Sequence, residues 1–236
     1  MAAPTIDVRP ARTRPHTDAG WLDSSHSFSF GHHHDPRNTH HGLLLVSNDD
    51  RVAPYTGFDT HPHQDMEIIT WVLEGRLEHK DTLGNKGEIY PGLAQRMTAG
   101  RGIWHSEKNN GDDTVHFVQM WVPPDTSGLD AGYEQLDINA ELDKGGLVPI
   151  ASGKGHDAAI SIAQSGAVLW GGRLRSGEVV AVPDDRHAHV FVARGTASLA
   201  GAGALAEGDA VRLTGAGSPQ LTAGPDGAEV LIWATS

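Results

Sequence analysis

The densest chemistry in the sequence is a run that reads Gly57-Phe-Asp-Thr-His61-Pro-His63-Gln-Asp-Met-Glu67, with Ile103-Trp-His105-Ser-Glu107 further along. Residues i and i+2 of a strand share a face, so His61 and His63 present two imidazoles side by side, while His105 and Glu107 present an imidazole and a carboxylate. Two such strands brought together offer three nitrogens and one oxygen. That donor set suits Fe(II), Ni, Cu, Mn or Zn and leaves coordination positions free for water, dioxygen or substrate. Open positions belong to catalytic sites, not to structural clips. Glu67, four positions after His63, is expected on the same face, as an acceptor that orients an imidazole or as a general base.

With 15 histidines in 236 residues, roughly one His-x-His pair arises by chance. Three occur: His32/His34, His61/His63 and His187/His189. The second stands out because His105-x-Glu107 partners it, preceded by Gly100-Arg-Gly102, which lets backbone approach closely. His32 to His34, with His40 and His41, follow Phe28-Ser-Phe30-Gly31 and precede Asp35-Pro36, a turn context that reads as a solvated loop. His79 and His116 read as ordinary strand residues.

The elements that must position these groups are strands. Gly 29 and Pro 13 punctuate runs that alternate or are β-branched, among them Glu67 to Leu73, His116 to Val122, Glu178 to Val182, Val190 to Ala193 and Glu229 to Trp233. Leu136 to Leu142 is the best candidate for a short helix. The chain therefore reads as all-β in two domains, residues 1–135 and 136–236, joined through a Pro- and Gly-rich passage. An internal repeat aligns the strand ending at Gly75 with the one ending at Gly195, and Pro91-Gly92 with Glu207-Gly208. In that register the positions of His61, His63, His105 and Glu107 fall on Ala181, Pro183, Leu221 and Ala223. The second domain is expected to hold no metal, and His187-Ala-His189 is not its site.

Composition narrows the partners. A net charge of −12 with no basic cluster argues against direct nucleic-acid or anionic-membrane binding. The absence of cysteine excludes disulfides, thiol catalysis and thiolate metal sites. No apolar run reaches the length of a signal core or membrane span, which gives a cytoplasmic expectation.

Trp21-Leu-Asp23, His26-Ser-Phe-Ser-Phe30, His61-Pro-His63, Gly75, Met97-Thr-Ala-Gly-Arg-Gly102 and His105-Ser-Glu107 together resemble the pirin family of bicupins. The resemblance runs from about residue 18 to the C-terminus. It implies two jelly-roll β-barrels facing one another, with a single metal, usually iron, in the N-terminal barrel. Its ligands by motif would be His61, His63, His105 and Glu107, and bacterial members are similar in activity to quercetin 2,3-dioxygenase. The His32 to His34 loop departs from the aromatic residues that related sequences carry there.

The activity so implied is cleavage of a flavonol by dioxygen with release of carbon monoxide, Glu107 or Glu67 taking the 3-hydroxyl proton. Phe58, Gln95, Met97 and Met120 are the expected cavity lining. The rival reading is an iron-containing, redox-sensing binding protein that acts as a transcriptional co-regulator through a protein partner. A cupin-type isomerase ranks last, since Arg101 is the only basic residue within the constellation.

Overall fold

A computed structural model describes residues 3–236. All five strand segments read from the sequence coincide with strands, Glu178 to Val182 only through its middle residues Val179–Ala181 and two inside the long His187–Leu199 and Gln220–Thr235. The helix is shorter than expected, Asn139–Leu142, because Leu136 and Asp137 complete strand Gly132–Asp137 instead.

The first half is built from two facing sheets. A seven-stranded sheet runs Gly132–Asp137, Leu93–Thr98, Glu67–Glu74, Val115–Val122, Val46–Val52, Leu22–His26, His16–Asp18. A four-stranded sheet runs Gly57–His63, Ile103–Lys108, Leu77–Asp81, Lys86–Ile89. Between them Val72, Leu77, Ile89, Val115 and Phe117 form an apolar core. The second half is one nine-stranded sheet whose long central strands carry register shifts at Val192/Arg194 and Gly195/Ala197. It encloses its own core around Val190, Val211, Leu221 and Val230.

Side-chain alternation decides what each face does. Along Glu67–Glu74, Thr70 and Val72 point into the first domain, whereas Ile69, Trp71 and Leu73 join a core shared with Phe191, Leu231 and Trp233 of the second. The domains are therefore packed back to back through a continuous apolar layer. One segment crosses over: strand Thr5–Arg9 pairs with Ala210–Thr214, so the start of the chain extends the second domain's sheet.

The repeat is visible in the backbone. Gly75 (φ 80°), just after strand Glu67–Glu74, and Gly195 (φ 74°), at a register shift within strand His187–Leu199, both occupy the left-handed region. A Cβ there would strike Val115 in one case and the Gly227 carbonyl in the other. In the second domain Leu221 and Ala223, the positions that the sequence repeat matches to His105 and Glu107, are buried in the apolar core. Among the described residues no metal-binding group includes His187 or His189.

Candidate metal centre

Strands Gly57–His63 and Ile103–Lys108 pair antiparallel with His61 directly opposite His105 and His63 opposite Ile103. One donor atom from each of His61, His63 and His105 lies within 4.8 Å of the others. His61 Nε2 and His105 Nε2 are 3.0 Å apart.

The proton positions on these rings are fixed by their outer partners. His61 Nδ1 donates to the Asp59 carbonyl at 2.7 Å, which leaves its Nε2 as a lone pair. Asp81, its side chain fully buried, accepts from His79 Nε2 at 3.2 Å. Burial alone would raise the Asp81 carboxyl, but hydrogen bonds from Asn85, His79 and Leu83 hold it below its ordinary range. It is therefore an anion, and His79 must carry its proton on Nε2. In the neutral tautomer that donates from Nε2, His79 turns an accepting Nδ1 to within 3.4 Å of His105 Nδ1; His105 with its proton there turns a bare Nε2 toward His61. Two lone pairs facing each other at 3.0 Å repel unless a cation lies between them. Two nitrogens each ~2.1 Å from one ion and at right angles to it are ~3 Å apart. The donors thus fit a divalent metal, and their charge state agrees. Burial, then His105 and His61, pull His63 down to about 4; burial, then His61 and His79, pull His105 down to about 3. Both rings are neutral at pH 7, as ligation requires.

Glu107 is buried and its oxygens are held by Gln119 Nε2 at 3.0 and 2.8 Å and by Thr70 Oγ1 at 3.3 Å. Trp121 Nε1 donates to Gln119 Oε1 at 3.1 Å, which orients the amide so that its NH₂ faces the carboxylate. Glu107 groups with His105 and His79, not with all three of the other expected ligands at once.

Glu67 is not on this face. Asp65 has φ 48° and breaks the chain between strands Gly57–His63 and Glu67–Glu74, so the two-residue alternation from His63 does not carry through. Glu67 points the other way, where its carboxylate accepts from Thr98 Oγ1 at 3.0 Å and from the Ala163 backbone of the second domain at 3.3 Å. It is neither a base nor an orienting acceptor for the imidazoles. His79, by contrast, reads from sequence as an ordinary strand residue and is part of the site. Its signal was Asp81, two positions on, which gives His79-x-Asp81 the same i, i+2 spacing as the ligands.

The candidate centre opens into a cavity of about 610 Å³ whose wall includes Trp21, Phe30, Phe58, Gln119 and Trp121, with His61, His63 and Glu107 at its base. Phe58 lines it as expected. The other three expected lining residues do not: Met120 belongs to the interdomain core, Met97 packs with Ile68 and Ile103, and Gln95 is 1% exposed outside the cavity wall. Met120 misses by one position, since its neighbours Gln119 and Trp121 face inward. The His32 to His34 loop is only partly solvated. His33 Nε2 lies 3.1 Å from Thr17 Oγ1, and Phe30 at the loop's start reaches the cavity. His41 is anchored on the Leu213 carbonyl of the second domain at 3.0 Å.

Two expected results follow. Asp81→Asn removes the anion that sets the His79 and His105 protons, and metal affinity falls by ~10–100-fold with all candidate ligands in place. Competition against a chelator checks this, and unchanged affinity contradicts it. Asp50, wholly buried beside the cavity, is raised from 3.8 to about 7 by burial, only partly offset by the Ser24 hydroxyl. The folded metal-free chain then holds a proton that the unfolded chain releases, so stability declines as pH rises from 3.8 to about 7 and levels off above. Asp50→Asn removes that slope in denaturation curves taken across the same window, and an unchanged slope contradicts the assignment.

Residues 7–122 match the family model described as Pirin, and residues 149–233 the one described as the quercetinase C-terminal cupin domain. A Mycobacterium tuberculosis protein named "Putative quercetin 2,3-dioxygenase Rv0181c" is 57% identical over 97% of this chain and 94% of its own length. The quercetin 2,3-dioxygenase of Escherichia coli K12 is 46% identical over 57% of this chain and 59% of its own. The crystal structure of the bacterial pirin YhhW from Escherichia coli in complex with nickel(II) superimposes with a TM-score of 0.88 at 33% identity, covering 97% of this chain and 98% of that one.

Proposed function

The chain belongs to the pirin family, and from that premise we propose that it is an Fe(II)-dependent dioxygenase that opens the heterocycle of a flavonol such as quercetin and releases carbon monoxide. The observation that carries the reading is the convergence of three imidazoles, two of them lining an aromatic-walled cavity of about 610 Å³, a size within the ~300–1,000 Å³ of small-molecule sites. Residues 10–135 form the metal-holding domain; residues 136–236 with strand Thr5–Arg9 form its degenerate counterpart.

His61, His63 and His105 would hold the ion through nitrogens that add no charge, and Glu107, which groups with His105, would be a fourth donor that adds one negative charge. Such an iron supplies Lewis acidity toward the 3-hydroxyl oxygen of the flavonol and the redox chemistry that dioxygen needs. Glu107, at the cavity base, takes the 3-hydroxyl proton at a carboxylate oxygen. Gln119 and Thr70 keep that carboxylate aimed, and Trp121 keeps Gln119 aimed. Trp21, Phe30, Phe58 and Trp121 exclude water and accept a planar aromatic substrate. No helix of the structure is long and apolar enough to cross a membrane, and a cytoplasmic location is part of the proposal.

The test is dioxygen uptake by anaerobically iron-loaded protein on addition of quercetin, beside His61→Ala at matched metal supply. Uptake with carbon monoxide release, both lost in the variant, supports the enzyme. No uptake from protein that holds one iron overturns it in favour of the redox-sensing binding protein.

A further inference from the structure

A second polar cavity, which shares no lining residue with the first, lies where strand Thr5–Arg9 and the turn after it meet both domains. It has a volume of about 30 Å³ and is lined by Arg14 from the N-terminal segment, His26, Ser27 and Asn38 from the first domain, and His189 and Arg212 from the second. Water needs ~10–15 Å³ of such space, so there is room for one or two small groups and no more.

Five buried polar atoms of these residues have no hydrogen-bond partner: Arg14 Nε, Ser27 Oγ, Asn38 Oδ1, His189 Nε2 and Arg212 Nε. They are half of all such atoms among the described residues, gathered on one small cavity. Orphaned buried polar atoms are costly and infrequent, and five in one place, three of them donors, specify a ligand. Their character specifies its charge. Arg14 shares Asp49 with His116 and Arg51. Arg212, 6% exposed, forms no ion pair with any carboxylate among the described residues. Its Nη2 donates to the Ser27 carbonyl at 2.6 Å and its guanidinium lies 4.4 Å from the Phe28 ring centroid. Arg9 at the cavity's edge is paired with Asp7. A buried guanidinium with no ion-paired carboxylate is destabilising; burial, then Arg9, pull Arg212 down to about 10, offset only in part by Asp7, which lies opposite it in the strand register and is itself paired with Arg9.

We propose that this cavity is a binding site for a small monovalent inorganic anion, a halide such as chloride, which pins the N-terminal segment to both domains. Arg14 Nε, Arg212 Nε and Ser27 Oγ donate to the anion. Asn38 Oδ1, an acceptor, receives a hydrogen bond from a water in the remaining space. Phosphate and carboxylic acids are too large. Because the ligand bridges three parts of the chain and the unfolded chain has no such site, halide stabilises the fold by mass action.

The experiment uses the metal-loaded full chain. Crystals grown in sodium bromide are measured at the bromine absorption edge, and melting temperature is followed as chloride is raised at constant ionic strength. The expected result is an anomalous peak in the cavity together with a saturable rise in melting temperature of ~5 °C at ~100 times the dissociation constant. Arg212→Met loses both with the metal centre still loaded. Ser27→Ala, a milder change, shifts the chloride midpoint several-fold higher and stands in if Arg212→Met fails to fold. Density for water alone in wild type, or a peak undiminished in the variants, overturns the proposal. A bromide peak without chloride dependence in solution marks an adventitious ion only, and overturns it too.

Discussion

His105→Ala is expected to abolish both stoichiometric metal binding and dioxygen uptake. His105 is the donor common to both candidate clusters, His61–His63–His105 and His79–His105–Glu107. Its loss leaves His61 and His63 without their third nitrogen, and leaves the Asp81–His79 arrangement with nothing to orient. Two adjacent imidazoles bind divalent ions far more weakly than three, so metal analysis after gel filtration should fall from one ion per chain to a trace. The fold is expected to survive, because the cores on either side of the site contain no metal ligand. Retained metal at wild-type occupancy would remove His105 from the ligand set.

Trp71→Ala is expected to cost about 3–5 kcal/mol of folding stability, or roughly 10 °C in melting temperature for a chain of this size. Trp71 is 1% exposed at the centre of the layer that joins the domains. Its Nε1 donates to Glu229 Oε1 of the second domain at 2.8 Å. Alanine therefore opens a cavity and strips a donor from a carboxylate that burial has already raised. Trp71→Phe separates the two contributions, since it keeps most of the volume and loses only the donor. Metal content should be unchanged in both variants, as Trp71 faces away from the site. A loss under 1 kcal/mol for alanine would mean that the domains do not depend on this layer.

The convergence of His61, His63 and His105 was legible in the sequence because two-residue alternation within one strand is rigid and antiparallel pairing brings the two strands together, whereas Glu107 falls with His105 and His79. The repeat was legible in part for a related reason: offsets counted from Gly92 and Gly208 lead from His105 and Glu107 to Leu221 and Ala223, both buried in the second domain's apolar core. Alternation fails where a strand ends unseen. Asp65 turned the chain between His63 and Glu67, and Glu67 went to the domain interface. The phase of Val115–Val122 is not readable from its residue types either, and the expectation of Met120 as lining inverts that strand's faces, since Gln119 and Trp121 are the ones in the cavity wall. His79 was missed because its role depends on strand Leu77–Asp81 lying beside Ile103–Lys108, a pairing between segments some twenty-six residues apart in the chain.

The most direct test of the central claim is the fate of isotopic oxygen. Iron-loaded protein is given quercetin under ¹⁸O₂, and the ring-opened product and evolved gas are analysed by mass spectrometry. The account predicts both labelled atoms in the product and unlabelled carbon monoxide, with neither formed by His105→Ala. Hydrogen peroxide with unlabelled organic product, or the same yield from the variant, would contradict it.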